Sequence, residues 1–232
     1  MTKYNHLLFD LDKTLWDFDS NSSITLSELF ETYHLLEKGI RSFDCFLTFY
    51  KAFNHTLWQK YRNGEIAKDF LSYERFNGSL KNFGIDDSSL AKQMAKDYIR
   101  ISPTKTKLYP DALEVVRELS KAYKLHILTN GFSEVQFIKV KNSGLAPFFE
   151  TIITSEMAGY QKPRPEIFEY TLKTTGARAN ETLMIGDDLE ADILGAQKMG
   201  IDQIYVNYEK KQHNESPVFE VNSLQEILYV LQ

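Results

Sequence analysis

From Pro103 onward the chain alternates short apolar runs with helix-length amphipathic segments, a pattern that fits a parallel sheet covered by helices on both faces. The strand-like runs fall at 125–129, 151–154, 183–185 and 203–206, and a further edge strand is predicted at 218–221. One more run of this kind, Leu7-Leu8-Phe9, opens the chain. Residues 17–102 carry no strand signal, so the first strand belongs to a sheet whose remainder follows much later.

The intervening stretch reads as four amphipathic helices. Ser22 or Ser23 is the expected cap of the first, which runs through Leu26, Leu29, Phe30, Tyr33 and Leu36 and stops at Gly39. Phe43, Phe46, Tyr50, Phe53, Leu57, Trp58 and Tyr61 recur at three- and four-residue intervals in the second. Phe70, Leu71, Phe76, Leu80 and Phe83 mark the third, and Leu90, Met94, Tyr98 and Ile101 the fourth, entered from Asp87 or Ser88. Four such helices bundle. The expected organisation is an α/β core of residues 1–15 and 103–232, with a helical domain of residues 16–102 inserted after the first strand.

The 232 residues are 43% hydrophobic, enough to fill a substantial core, and the net charge of -5 leaves no basic stripe for a nucleic-acid backbone. No apolar segment approaches the length of a membrane span, and no basic leader precedes the first strand. A cytoplasmic protein with no membrane or nucleic-acid partner, a monomer or weak homodimer, is the expectation. Cys45 is the single cysteine, expected as a small buried hydrophobe on a helix. Five scattered histidines show no ligand spacing, and Asp86, Asp87 and Asp111 read as helix caps.

Ligands of open parallel sheets bind outside the carboxyl ends of the strands. The first strand delivers Asp10 and Asp12, which leave an extended chain on the same side. The next delivers Thr129-Asn130-Gly131, the strand at 183–185 delivers Gly186-Asp187-Asp188, and Lys162 follows the run at 151–154. Carboxylates without His or Cys suit a hard cation, magnesium first. Helix N-termini joined by a threonine and a lysine suit a phosphate.

These residues resemble the haloacid dehalogenase superfamily of aspartate-nucleophile phosphohydrolases. Phe9-Asp10-Leu11-Asp12-Lys13-Thr14-Leu15 is similar to its first motif and Leu128-Thr129-Asn130-Gly131 to its second. Lys162-Pro163 with Pro165-Glu166-Ile167-Phe168 is similar to the third, and Gly186-Asp187-Asp188 through Asp192-Ile193 to the fourth. The resemblance covers the whole chain, and the helical insertion matches that family's cap of the first type on a Rossmann-like core.

The resemblance implies that Asp10 attacks phosphorus to form an aspartyl-phosphate, while Asp12 protonates the leaving oxygen and then deprotonates water. It implies magnesium held by Asp10, the backbone carbonyl of Asp12 and Asp187, with Asp192 in support. Thr129 and Lys162 would grip phosphoryl oxygens, and Asn130 and Gly131 position the phosphate. Lys13 stands where this family often has glycine. Asp188 stands where serine, asparagine or threonine is common, which leaves Asp188 as an alternative to the favoured Asp187 at the metal.

Thr14-Leu15-Trp16-Asp17-Phe18, Leu57-Trp58 with Tyr61, Asn63-Gly64-Glu65-Ile66, Arg75-Phe76 and Phe132-Ser133 resemble the nucleotidase branch that acts on pyrimidine nucleoside monophosphates. A small phosphomonoester, a nucleoside monophosphate, is the implied substrate, with Trp16 and Phe18 placed to reach it and Trp58, Tyr61 and Phe76 either bundle core or base-stacking. A sugar-phosphate or phosphoglycolate phosphatase shares every core residue and is the main alternative. A metal-independent haloacid dehalogenase has no need of Asp12 and Asp187. A receiver-type signalling domain is about half this length, and a non-catalytic phosphate-binding protein would not need every catalytic position filled.

Overall fold

The computed structural model describes residues 3–231. Two compact units make up the chain, one of Met1–Phe18 with Thr106–Gln232 and the other of Asp19–Lys105. In the first unit, β1 (His6–Phe9), β2 (Lys124–Thr129), β3 (Thr151–Thr154), β4 (Thr182–Gly186), β5 (Asp202–Val206) and β6 (Phe219–Val221) form one sheet. Its order is β3-β2-β1-β4-β5-β6 and every pairing is parallel. β2 and β3 lie to one side of β1 and the later strands to the other, so the winding reverses between β1 and β4. Open parallel sheets bind their ligands outside the strand ends at such a reversal.

Leu7, Leu8 and Phe9 of β1 form an unbroken apolar run because each face of the sheet has its own core. Leu7 and Phe9 join Leu125, Ile127, Leu183, Ile185 and Ile204, packed under α5 (Ala112–Leu119) and α10 (Gln225–Val230). Leu8 points the other way, to Leu128, Ile153 and Met184 and to Ile167 and Phe168 of α8 (Pro165–Thr175). α6 (Ser133–Asn142) follows β2, α7 (Ser155–Ala158) follows β3, and a π-helical turn, Leu189–Leu194, precedes α9 (Gly195–Lys198). Just before the first unit ends and just after it resumes, the chain pairs with itself. Asp17 N–H donates to Lys107 O at 3.1 Å, Tyr109 N–H donates to Leu15 O at 2.9 Å, and Trp16 bridges Leu108 antiparallel.

The second unit consists of α1 (Phe18–Thr32), entered from the first unit, α2 (Phe43–Arg62), α3 (Lys68–Asn82) and α4 (Ser88–Ile101). Leu26, Leu29, Phe30, Phe46, Tyr50, Phe76, Leu80, Met94 and Tyr98 fill its core. Trp58 and Tyr61 remain half-buried, edge to face at 5.7 Å.

Three local expectations are corrected. α1 begins at Phe18, and Ser22 lies inside it, its hydroxyl 2.8 Å from that of Tyr98, so Ser22 is spent in the bundle interior and not on capping. Asp87 caps α4 through the N–H groups of Ser89 and Leu90, but Asp111 makes no cap bond: its backbone is left-handed (φ 63), whereas a capping side chain needs an extended residue. Cys45 is exposed, because the buried face of α2 runs through Phe46, Tyr50, Asn54 and Leu57, one position away.

Candidate active site

Asp10 follows the last residue of β1 and continues its ladder, its N–H donating to Ile185 O at 2.9 Å. Its carboxylate divides its duties. Oδ1 accepts from Lys162 Nζ at 2.7 Å, while Oδ2 lies 3.4 Å from Thr14 Oγ1, which is also 3.2 Å from Asp187 Oδ1. Both hydroxyl contacts are long, so Thr14 shares one proton between two carboxylates.

Lys162 is buried, and its ammonium reaches Asp10 Oδ1, Asp192 Oδ1 and Leu128 O, each at 2.7 Å. Burial alone would lower its pKa, but Asp10 and Asp192 outweigh that and hold it above the usual lysine range. Two-point bonding fixes the segment carrying it: Asn130 Nδ2 donates to Lys162 O at 2.9 Å and Lys162 N–H donates to Asn130 Oδ1 at 2.8 Å.

Both ends of the Asn130 side-chain amide bond the backbone of Lys162, so the side chain positions the lysine. Thr129 Oγ1 accepts from Gln136 Nε2 at 2.8 Å and from Gly131 N–H at 3.1 Å, which leaves its own proton to donate. Gly131 is required by close approach, because a Cβ there would meet Gln136 Nε2 at 1.8 Å.

Negative charge is in excess around this one ammonium. Burial, then the charges of Asp192 and Asp12, push Asp10 up to about 7 despite Lys162. Burial first, and the charges of Asp10, Asp192 and Asp188, push Asp187 well above the carboxylate range. Carboxylate oxygens of Asp10, Asp187 and Asp192 lie within 4.8 Å of one another. An oxygen-only cluster carrying uncompensated charge fits a hard divalent cation.

The two remaining acids differ from Asp187 in what they already bind. Asp188 Oδ1 accepts from Glu190 N–H and Ala191 N–H at 3.0 and 2.9 Å, so it caps the π-helical turn. Asp192 spends Oδ1 on Lys162 and Oδ2 on Asp188 N–H at 3.1 Å. Lys13, where the resembling family often has glycine, adopts a left-handed φ of 69, the conformation glycine enters without a Cβ penalty.

Asp12 stays about a quarter exposed. Two residues absent from the sequence reading hold it: Lys139 Nζ donates to Oδ1 at 2.6 Å and Gln136 Nε2 to Oδ2 at 2.7 Å. Both come from α6 and both are buried. The sequence trace of this pair is faint, a glutamine and a lysine three apart on the helix that follows Thr129.

The place expected for Trp16 is also revised. It is completely buried in the core beneath β1, and Lys139 Nζ lies 4.0 Å from its ring centroid and 5.6 Å from that of Phe18. A ring enclosed by core packing on one side and an ammonium on the other offers no free face to a ligand. Phe18 remains partly buried against the same core.

A parallel sheet with a carboxylate pair after its first strand and a lysine-bound acidic cluster at its winding reversal defines a hydrolase class. The chain belongs to the haloacid dehalogenase-like hydrolases, whose family model matches residues 4–200. YfnB of Bacillus subtilis is 34% identical over 235 residues, covering 100% of this chain and 97% of YfnB. A magnesium-bound crystal structure of YfnB superposes with a TM-score of 0.89 over 99% of both chains. The pyrimidine 5'-nucleotidase PynA of Streptococcus pneumoniae is 33% identical, covering 97% of this chain and 94% of PynA. The pyrimidine 5'-nucleotidase YjjG of Escherichia coli is 30% identical, covering 99% and 98%. Among the described residues, no helix is long and apolar enough to cross a membrane.

Proposed function

We propose that this hydrolase is a magnesium-dependent phosphatase that cleaves pyrimidine nucleoside 5'-monophosphates through an aspartyl-phosphate on Asp10. The observation that carries the reading is the division of Asp10, one oxygen on the buried Lys162 and the other on the Thr14 hydroxyl that also contacts Asp187, with Asp12 two residues on and still open to solvent. The pyrimidine nucleotidases among its relatives support the substrate class.

In the first half-reaction an oxygen of Asp10 bonds to phosphorus as the ester P–O bond breaks, and Asp12 gives its proton to the departing 5'-oxygen. In the second, water bonds to phosphorus, Asp12 takes its proton, and the P–O bond to Asp10 breaks to release inorganic phosphate. Lys162 keeps Asp10 oriented and offsets phosphoryl charge, and the unspent proton of Thr129 is aimed at a phosphoryl oxygen. Asp10, Asp187 and the backbone carbonyl of Asp12 would hold magnesium, with Asp192 behind them. A metal held by these residues would supply charge neutralisation and Lewis-acid polarisation of the phosphoryl group.

Phosphate release from uridine and deoxyuridine monophosphates, sugar phosphates and purine nucleotides, compared by kcat/KM, tests the reading. The uridine nucleotides are expected to lead, and a flat or reversed ranking rejects the nucleotidase assignment.

A further inference from the structure

Gln136 and Lys139 lie one turn apart on α6, and both direct a buried polar group at the carboxylate of Asp12. Gln136 makes its contact at a cost. Its Nε2 serves Asp12 Oδ2 and Thr129 Oγ1 together, while its Oε1 is buried without a hydrogen-bond partner. An unsatisfied buried acceptor is costly, and a glutamine serving only the packing of α6 would not need this arrangement. Turning the amide over would place Oε1 against the Asp12 carboxylate, so the observed orientation is the one that holds Asp12.

Lys139 is equally committed. With 3% of its side chain exposed, its ammonium sits between Asp12 Oδ1 at 2.6 Å and the face of Trp16, 4.0 Å to the centroid. Trp16 is itself fully buried in the core. The carboxylate is therefore held at both oxygens by donors from buried side chains, while a quarter of its surface remains open. Gly131 leaves room for the glutamine, which a Cβ there would displace.

We infer that Gln136 and Lys139 are positioning residues that fix the Asp12 carboxylate in the orientation from which it exchanges a proton with the leaving oxygen and with water. This rests on the role of Asp12 in the proposed phosphatase reaction. The pair touches neither phosphorus nor the nucleophile; Lys139 acts through Asp12, and Gln136 acts through Asp12 and the Thr129 hydroxyl it also serves. Misplacing a reacting group by about an ångström costs on the order of 10²-fold in rate.

The test compares Lys139→Met and Gln136→Met with the unaltered enzyme on two substrates, reading kcat/KM. Uridine departs from its monophosphate as an alkoxide and needs a proton, whereas p-nitrophenol departs from its phosphate as a stable phenolate. Each variant is expected to lose about 10²-fold on uridine monophosphate and far less on p-nitrophenyl phosphate. Adding Lys139→Met to Asp12→Asn is expected to produce little further loss, because the two act through one carboxylate. Equal losses on both substrates, or losses that multiply in the double variant, overturn the inference and leave the phosphatase reading standing. Absence of hydrolysis of either ester by the unaltered enzyme overturns both. Should Lys139→Met fail to fold, Gln136→Met, which nearly keeps side-chain volume and retains the lysine, carries the same comparison.

Discussion

Lys162, between α7 and α8, and Asp10, at the end of β1, form a buried ion pair, Nζ to Oδ1 at 2.7 Å. The same ammonium also holds Asp192, so two carboxylates depend on one cation. Removing one partner of a buried pair leaves an uncompensated charge and costs about 3–5 kcal/mol. Lys162→Met is therefore expected to lower unfolding free energy by about that amount at pH 7 in a denaturant titration, and to lose hydrolysis. A variant as stable as the parent would show that Lys162 does not bear that charge balance.

Gly186 lies where β4 meets the acidic cluster. A Cβ there would stand 2.1 Å from Asp192 Oδ2, the oxygen that accepts from Asp188 N–H. Gly186→Ala must push Asp192 aside and disturb its contact with Lys162. A loss of about 1–3 kcal/mol, typical of overpacking, is expected in the denaturant midpoint, together with slower turnover. An unchanged midpoint would mean that the segment after β4 yields freely.

Asp187 and Asp188 are adjacent in sequence but separable by experiment. Magnesium is expected to raise the melting temperature of the parent and chelator to abolish its hydrolysis, because the cluster holds more negative charge than Lys162 offsets. Asp187→Asn should lose the magnesium-induced shift. Asp188→Ala should cost about 1 kcal/mol as a lost cap while retaining the shift. The opposite pattern would move the metal to Asp188.

At the other end of the sheet, His6 Nδ1 and His126 Nε2 lie 3.0 Å apart, buried and stacked. Burial, with the charges of His6 and Lys124, pushes His126 from 6.5 down to about 4, and burial also lowers His6, where Lys124 adds and Glu181 and Glu150 oppose. A folded-state pKa below the unfolded value means that protons favour the unfolded chain. The contribution is complete above about pH 6.5 and is lost as pH falls towards 4. Melting temperature should fall through that window, and His126→Leu should flatten the decline. Parallel curves for parent and variant would place the acid sensitivity elsewhere.

The sheet was legible because strands covered on both faces are apolar throughout: Leu7 to Phe9 needs no alternation to be recognised when Leu8 and its neighbours serve different cores. Strand ends were legible for the same reason, since an apolar run that stops at Asp10 or Gly186 announces where polar groups emerge. The partners of those groups were not. Lys139 lies 127 residues from Asp12, and on its own helix it reads as a solvated lysine. Asn130 is adjacent to Thr129 in sequence, yet its amide faces the backbone of Lys162, 32 residues away. Trp16 reads as placed to reach a substrate because its position after the first strand does not show the core that encloses it. Side-chain destinations of this kind depend on tertiary approach, which local periodicity does not encode.

The covalent role of Asp10 is tested most directly by mixing the enzyme with uridine monophosphate and magnesium, quenching in acid, and locating the phosphoryl group by peptide mass spectrometry. The expected result is one phosphoryl group on Asp10 during turnover, absent from Asp10→Asn, which also releases no phosphate. Turnover without phosphorylated Asp10, with the group on another residue, or with Asp10→Asn still active would contradict it.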